Sequence, residues 1–180
     1  ISDFNLNDYA TQFCEKEIIG KSEFLREFLN DFSDNIELHE KIDNTKVIEL
    51  IKCSDVGLLP TWADSYGYSC LEFQACGCPV ISTDVRSLPE INNDKCGWVI
   101  SIPKNNTGLD AKLDTEQDRL DFSNHLSKKL VEIFETILTN PNERSTVYEK
   151  GNNAIARIQK FHKPENNINV LRPLINHMFE

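Results

Sequence analysis

Two carboxylates, Asp64 and Glu72, flank a Tyr66-Gly67-Tyr68 turn in the stretch DSYGYSCLEFQACGCPV, residues 64–80. A carboxylate can accept two hydrogen bonds from a vicinal diol, and charged bonds of this kind contribute about 1.5–3 kcal/mol. Glu72 is expected in the first turn of a helix that starts near Ser69. The backbone N–H groups of Tyr66, Gly67, Tyr68 and Ser69 would then point into the preceding loop, and such donors favour an anion. Two plainer readings stand beside these. Glu72 could simply complement the helix dipole, worth about 0.3–1 kcal/mol, and Asp64 could be a solvated loop aspartate.

Those residues need a frame. Val56-Gly57-Leu58-Leu59-Pro60 reads as a short buried strand stopped by proline, and Pro79-Val80-Ile81-Ser82 as the next. A loop and a helix between two strands make a βαβ unit, whose loop lies at the carboxyl end of the sheet, where open α/β sheets bind ligands. Further strands are expected at 36–39 and 97–101, giving an α/β fold with a Rossmann-like parallel sheet flanked by helices. Residues 16–20 read as a first strand, or residues 8–29 as one interrupted helix. Ser22 can cap a helix burying Phe24, Leu25, Phe28 and Leu29, and Thr45 one burying Val47, Ile48, Leu50 and Ile51. Polar residues 103–117 read as a surface loop. C-terminal helices follow over 120–138, with Phe122, Leu126, Leu130, Phe134 and Ile137 at helical spacing, then over 144–161, with a last segment over 168–179.

Composition narrows the partners. A net charge of −10 with scattered basic residues excludes a nucleic-acid partner, because phosphate backbones need clustered Lys and Arg. No window approaches the roughly 20 apolar residues of a membrane span. Six cysteines, at 14, 53, 70, 76, 78 and 96, show no CxxC or His spacing for a metal, so free thiols in a reducing, cytoplasmic compartment are expected.

At Asp64-Ser65-Tyr66-Gly67, Glu72 and Gln74-Ala75-Cys76-Gly77-Cys78-Pro79-Val80 the chain resembles the retaining, nucleotide-sugar-dependent glycosyltransferases of the GT-B fold, often called glycosyl transferase group 1. The flanks fit as well: residues 51–61 upstream, then Ser82-Thr83-Asp84-Val85, Leu88-Pro89-Glu90-Ile91 and Gly97-Trp98-Val99-Ile100. Asp64 stands where the family has Glu, and Ser65 where it has Gly. The resemblance implies that residues 1–180 form a single nucleotide-sugar-binding domain, the C-terminal half of a GT-B enzyme. Its length and its opening Ile1-Ser2-Asp3 accord with a fragment whose N-terminal acceptor domain is missing and which is inactive alone.

By resemblance, Glu72 holds the ribose and Asp64 the transferred sugar, in a hexosyltransferase-like reaction. Tyr66, Gly67, Tyr68 and Ser69 contribute backbone donors, the glycine being needed for close approach of a phosphate or sugar. Cys70 and Leu71 lie nearest the diphosphate or nucleoside, with helix packing the alternative for Leu71. A helix terminus offers about half a positive charge against about two negative ones on a diphosphate. Lys41 and Arg86, both at carboxyl strand ends, could add charge, or could be ordinary surface residues. No cofactor is implied, and no metal, since there is no Asp-x-Asp pair. The implied acceptor is a sugar, lipid-linked or protein group reached through the other domain, and the full-length protein could lie peripheral to a membrane. A dinucleotide-dependent oxidoreductase is disfavoured, because Tyr66-Gly67-Tyr68 has one glycine where that fingerprint needs three. A non-catalytic nucleotide-sugar-binding or scaffold domain of the same fold remains the alternative.

Overall fold

The computed structural model describes residues 31–163, apart from 38 and 40, together with 165, 166, 168 and 172. Two compact units are present, Ile1–Val47 and Ile48–Glu180. The expected elements at 16–20 and 22–29, and nearly all of 168–179, lie outside the described residues.

Helix α1, Asn44–Lys52, runs across the boundary between the units. Asp43 caps it rather than Thr45: its Oδ1 accepts the Lys46 N–H at 3.0 Å. An aspartate one residue outside the helix reaches a first-turn donor, which places the helix start earlier than the threonine suggested. Of its apolar face only Ile51 is fully buried. Ile36, Glu37 and His39 belong to no strand, so the expected strand over 36–39 is absent among the described residues.

The second unit is built on three parallel strands in chain order, β1 (Gly57–Leu59), β2 (Val80–Thr83) and β3 (Gly97–Ile100). Register pairs Gly57 with Val80, and Val80 with Gly97. All of β2 is buried, as expected of a central parallel strand. Its polar residues are satisfied: Thr83 Oγ1 donates to the Thr61 carbonyl at 2.5 Å, and the Asn92 amide donates to Ser82 Oγ at 2.9 Å. Between the strands lie α2 (Tyr68–Ala75) and the short α3 (Leu88–Ile91). The core joins Cys70, Val80, Ile81, Val85, Leu88, Ile91 and Ile100. Each large aliphatic side chain fully buried there contributes about 1.5–3 kcal/mol.

Two long helices follow, α4 (Glu116–Thr139) and α5 (Pro141–Phe161). A capping box between Thr115 and Asp118 starts α4. Phe122, Leu126, Leu130 and Phe134 pack on the core, and Ile137 is buried. Helix α5 approaches the turn after α2 at Gly151, where a Cβ would lie 2.2 Å from the Gly77 carbonyl oxygen. Farther along α5, Arg157 Nε donates to the Ile91 carbonyl at 2.8 Å and its Nη2 to that of Glu90, satisfying the end of α3.

Residues 103–112 are not the plain surface loop that their polarity suggests. Lys104 and Ala111 form an antiparallel bridge around a turn at Gly108, whose φ is 73°. This hairpin docks on two strand-end loops, the Ala111 N–H donating to the Trp62 carbonyl at 3.0 Å and the Arg86 N–H to that of Leu109 at 2.9 Å. Lys104 Nζ also pairs with Asp84, whose Oδ2 accepts from Ser101 Oγ at 2.9 Å.

Candidate functional site

The loop joining β1 to α2 leaves the sheet at its carboxyl end. Asp64 turns it: Oδ1 accepts the Gly67 N–H, closing a turn three residues on. That donor is thereby consumed, so of the four amides expected to face a ligand Gly67's is not free. Gly67 caps α2 in the left-handed conformation, φ 78° and ψ 40°. With the helix starting at Tyr68, the amides of Tyr68, Ser69 and Cys70 have no intrahelical acceptor, whereas the Leu71 N–H closes on the Gly67 carbonyl at 3.2 Å.

The reason for glycine at 67 differs from the expected one. A Cβ there would stand 2.6 Å from Leu88 Cδ2 and 3.3 Å from Ile91 Cδ1. Gly67 is thus buried against α3, and it is packing, together with the positive φ, that excludes a side chain. Ser87 Oγ, donating to the Ser65 carbonyl at 3.2 Å, ties the loop to the segment leading into α3.

Glu72 is the fifth residue of α2, in its second turn rather than its first. The dipole effect fades beyond the first turn, which weakens the plainer reading of this residue. Its side chain is half-buried and has no hydrogen-bond or ion-pair partner among the described residues. Cys70 points inward and is fully buried, and burial, with Asp64 adding, pushes its thiol up to about 12. Its amide is buried with it, so the exposed donors of the first turn are those of Tyr68 and Ser69. Leu71 packs on the core. The rings of Tyr66 and Tyr68 are not packing residues: they are 40% and 70% exposed, tilted at 48° with centroids 5.2 Å apart.

The two candidate cations fare differently. Lys41 is exposed and belongs to the N-terminal unit. Arg86 is close to the loop but engaged, with Nε 2.5 Å from Asp110 Oδ1 and Nη2 2.9 Å from Oδ2. The pair holds Asp110 below the usual carboxylate value and raises Arg86, to which the Asp64 charge adds. Asp110 carried no local signal, since it lies in a polar stretch 24 residues from its partner.

Beneath the site lies a buried amide pair that sequence reasoning also missed. Asn92 Nδ2 reaches the Val80 carbonyl at 2.9 Å and that of Trp98 at 3.2 Å, and Asn92 Oδ1 accepts Gln74 Nε2 at 3.3 Å. Gln74, two residues beyond Glu72, is fully buried and also donates to the Ile91 carbonyl at 3.1 Å. These bonds fix the roll of α2 and hence the side on which Glu72 emerges. Among the described residues no group of three or more His, Cys, Asp or Glu is arranged to hold a metal, and Cys53, Cys70, Cys76, Cys78 and Cys96 are free thiols.

A three-stranded parallel sheet flanked by helices, with a glycine-turned loop at its carboxyl edge, defines an α/β protein. The family Glycosyl transferases group 1 matches residues 10–114, more than half of the chain, and the protein belongs to that family. It is similar to sucrose-phosphate synthase from Thermosynechococcus elongatus, with a TM-score of 0.57 and 17% identity over 89% of this chain and 35% of that one, a likeness of fold. It is also 29% identical over 56 residues to D-inositol 3-phosphate glycosyltransferase 2 of Catenulispora acidiphila, a match covering 31% of this chain and 13% of that protein. The chain thus spans a minor part of both relatives. Among the described residues no helix is long and apolar enough to cross a membrane.

Proposed function

We propose that the chain is the donor-binding, C-terminal part of a retaining glycosyltransferase, seating a nucleotide sugar at the amino end of α2. The observation that carries this is the pairing of two exposed amides, at Tyr68 and Ser69, with the carboxylate of Glu72 one turn on, none of which has a partner among the described residues. The amides suit a diphosphate and the carboxylate a ribose diol. Asp64, already holding the Gly67 N–H through Oδ1, has its second oxygen for a hydroxyl of the transferred sugar. Tyr66 and Tyr68, both exposed, adjoin these amides in the chain. Leaving-group charge is met by amides and basic side chains, so a divalent ion is not needed. Transfer requires an acceptor domain beyond these residues, and the reading implies a cytoplasmic protein working on a sugar, lipid-linked or protein acceptor, peripheral to a membrane where that acceptor is lipid-linked.

Amide chemical shifts of the labelled chain, titrated with UDP, GDP and ADP, test the proposal. The Tyr68 and Ser69 amides are expected to move with at least one nucleotide, and the Gly67 amide, held by Asp64, much less. Shifts confined to other regions would count against it. A fold-only scaffold predicts no saturable shifts with any of the three.

A further inference from the structure

Arg86 has a φ of 43°, in the left-handed region where glycine is the usual occupant. A residue with a Cβ is strained there. An exposed ion pair stabilises a fold only weakly, so the bond to Asp110 does not by itself offset the conformation as a stability device. What the strained backbone and the pair accomplish together is placement. The Arg86 N–H is held by Leu109, its guanidinium by Asp110, and the next residue, Ser87, by Ser65 beside Asp64. Residues 86–87 therefore bridge the 103–112 hairpin and the Asp64 loop. A guanidinium carries five N–H donors. Asp110 takes two, and the other three have no acceptor among the described residues.

We propose that Asp110 is a positioning residue, gripping one edge of the Arg86 guanidinium so that the open edge meets a phosphate group of the ligand seated at the Asp64–Tyr68 loop. This rests on the nucleotide-sugar reading above. A planar guanidinium fixed in place matches phosphate oxygens in a bidentate manner, and it supplies charge that the amino end of α2, with about half a positive charge, lacks against a diphosphate.

The sign of one substitution separates placement from charge. Asp110→Asn removes a negative charge beside the site, so an account based on net charge alone has anions binding more tightly. Placement requires the reverse. Calorimetry with inorganic pyrophosphate, UDP, GDP and ADP should show affinity about fivefold to tenfold weaker in Asp110→Asn, the scale of one charge-assisted bond, and at least as weak in Arg86→Ala. Asp110→Glu, which keeps the charge and displaces the guanidinium, should lose less and serves if the amide variant does not fold. Unchanged or tighter binding in Asp110→Asn, or a lowered melting temperature with full affinity, overturns the inference. If Glu72→Gln weakens UDP, GDP or ADP while Asp110→Asn does not, only this inference falls; if the native chain binds none of these probes, the donor reading falls and this with it.

Discussion

Gly67→Ala is the substitution whose cost the structure lets one work out most fully. The added methyl would meet Leu88 Cδ2 at 2.6 Å, and Leu88 is itself fully buried, so the leucine cannot swing into solvent. Overpacking of this kind costs about 1–3 kcal/mol. The φ of 78° adds about 1–2 kcal/mol for a residue with a Cβ. A total of about 2–5 kcal/mol is expected in urea denaturation of the chain. The two parts separate in a cycle with Leu88→Ala, which is destabilising alone but makes room for the methyl. In that background Gly67→Ala should cost about 1–2 kcal/mol, only the backbone part remaining. An equal cost in both backgrounds would refute the clash, and a cost below about 1 kcal/mol in the native background would refute both parts.

Asn92→Ala should destabilise by about 2–4 kcal/mol, because it removes one of the two acceptors of the buried Gln74 amide and the donor to the Ser82 hydroxyl; a loss under about 1 kcal/mol in the same denaturation assay would show the pair to be dispensable. Burial raises Asp84, but bonds from Lys104, Ser101 and the Ile102 N–H outweigh it and leave the pKa below the ordinary 3.8. The stability this contributes is present above pH 3.8 and is lost as pH falls below it, so melting curves of Asp84→Asn should show a flatter decline than the native chain in that range. Parallel acid limbs would exclude that role. Nucleotide binding should survive EDTA unchanged, and restoration by Mn²⁺ of binding lost on chelation would contradict the metal-free reading.

The sheet was legible because its strands are short apolar runs closed by Pro60 and opened by Pro79, and α4 because its apolar residues recur at helical spacing from Phe122 to Ile137. Local pattern carried both. What was not legible depends on partners distant in sequence. The 103–112 hairpin has no apolar period, and its order comes from bonds to Trp62 and Arg86. Asn92 in a run of polar residues reads as a turn, yet it is buried because strands β2 and β3 both present carbonyls to it. In the candidate site, Asp64 and Glu72 were found by residue type and spacing. The inward turn of Cys70 and the burial of Gly67 were not, since both depend on Leu88 and Ile91, about 20 residues away in sequence, packing over the start of α2.

The division of a donor between the two carboxylates is the central claim, and calorimetry on the complete protein with a free nucleoside diphosphate and its sugar conjugate tests it most directly. Glu72→Gln should weaken both ligands by about 1.5–3 kcal/mol, roughly ten- to a hundredfold, because both carry the ribose. Asp64→Asn keeps an acceptor for the Gly67 N–H and should weaken the nucleotide sugar more than the free nucleotide. Equal losses for both ligands in both variants would contradict the account, as would a Glu72→Gln protein that melts earlier and binds as before.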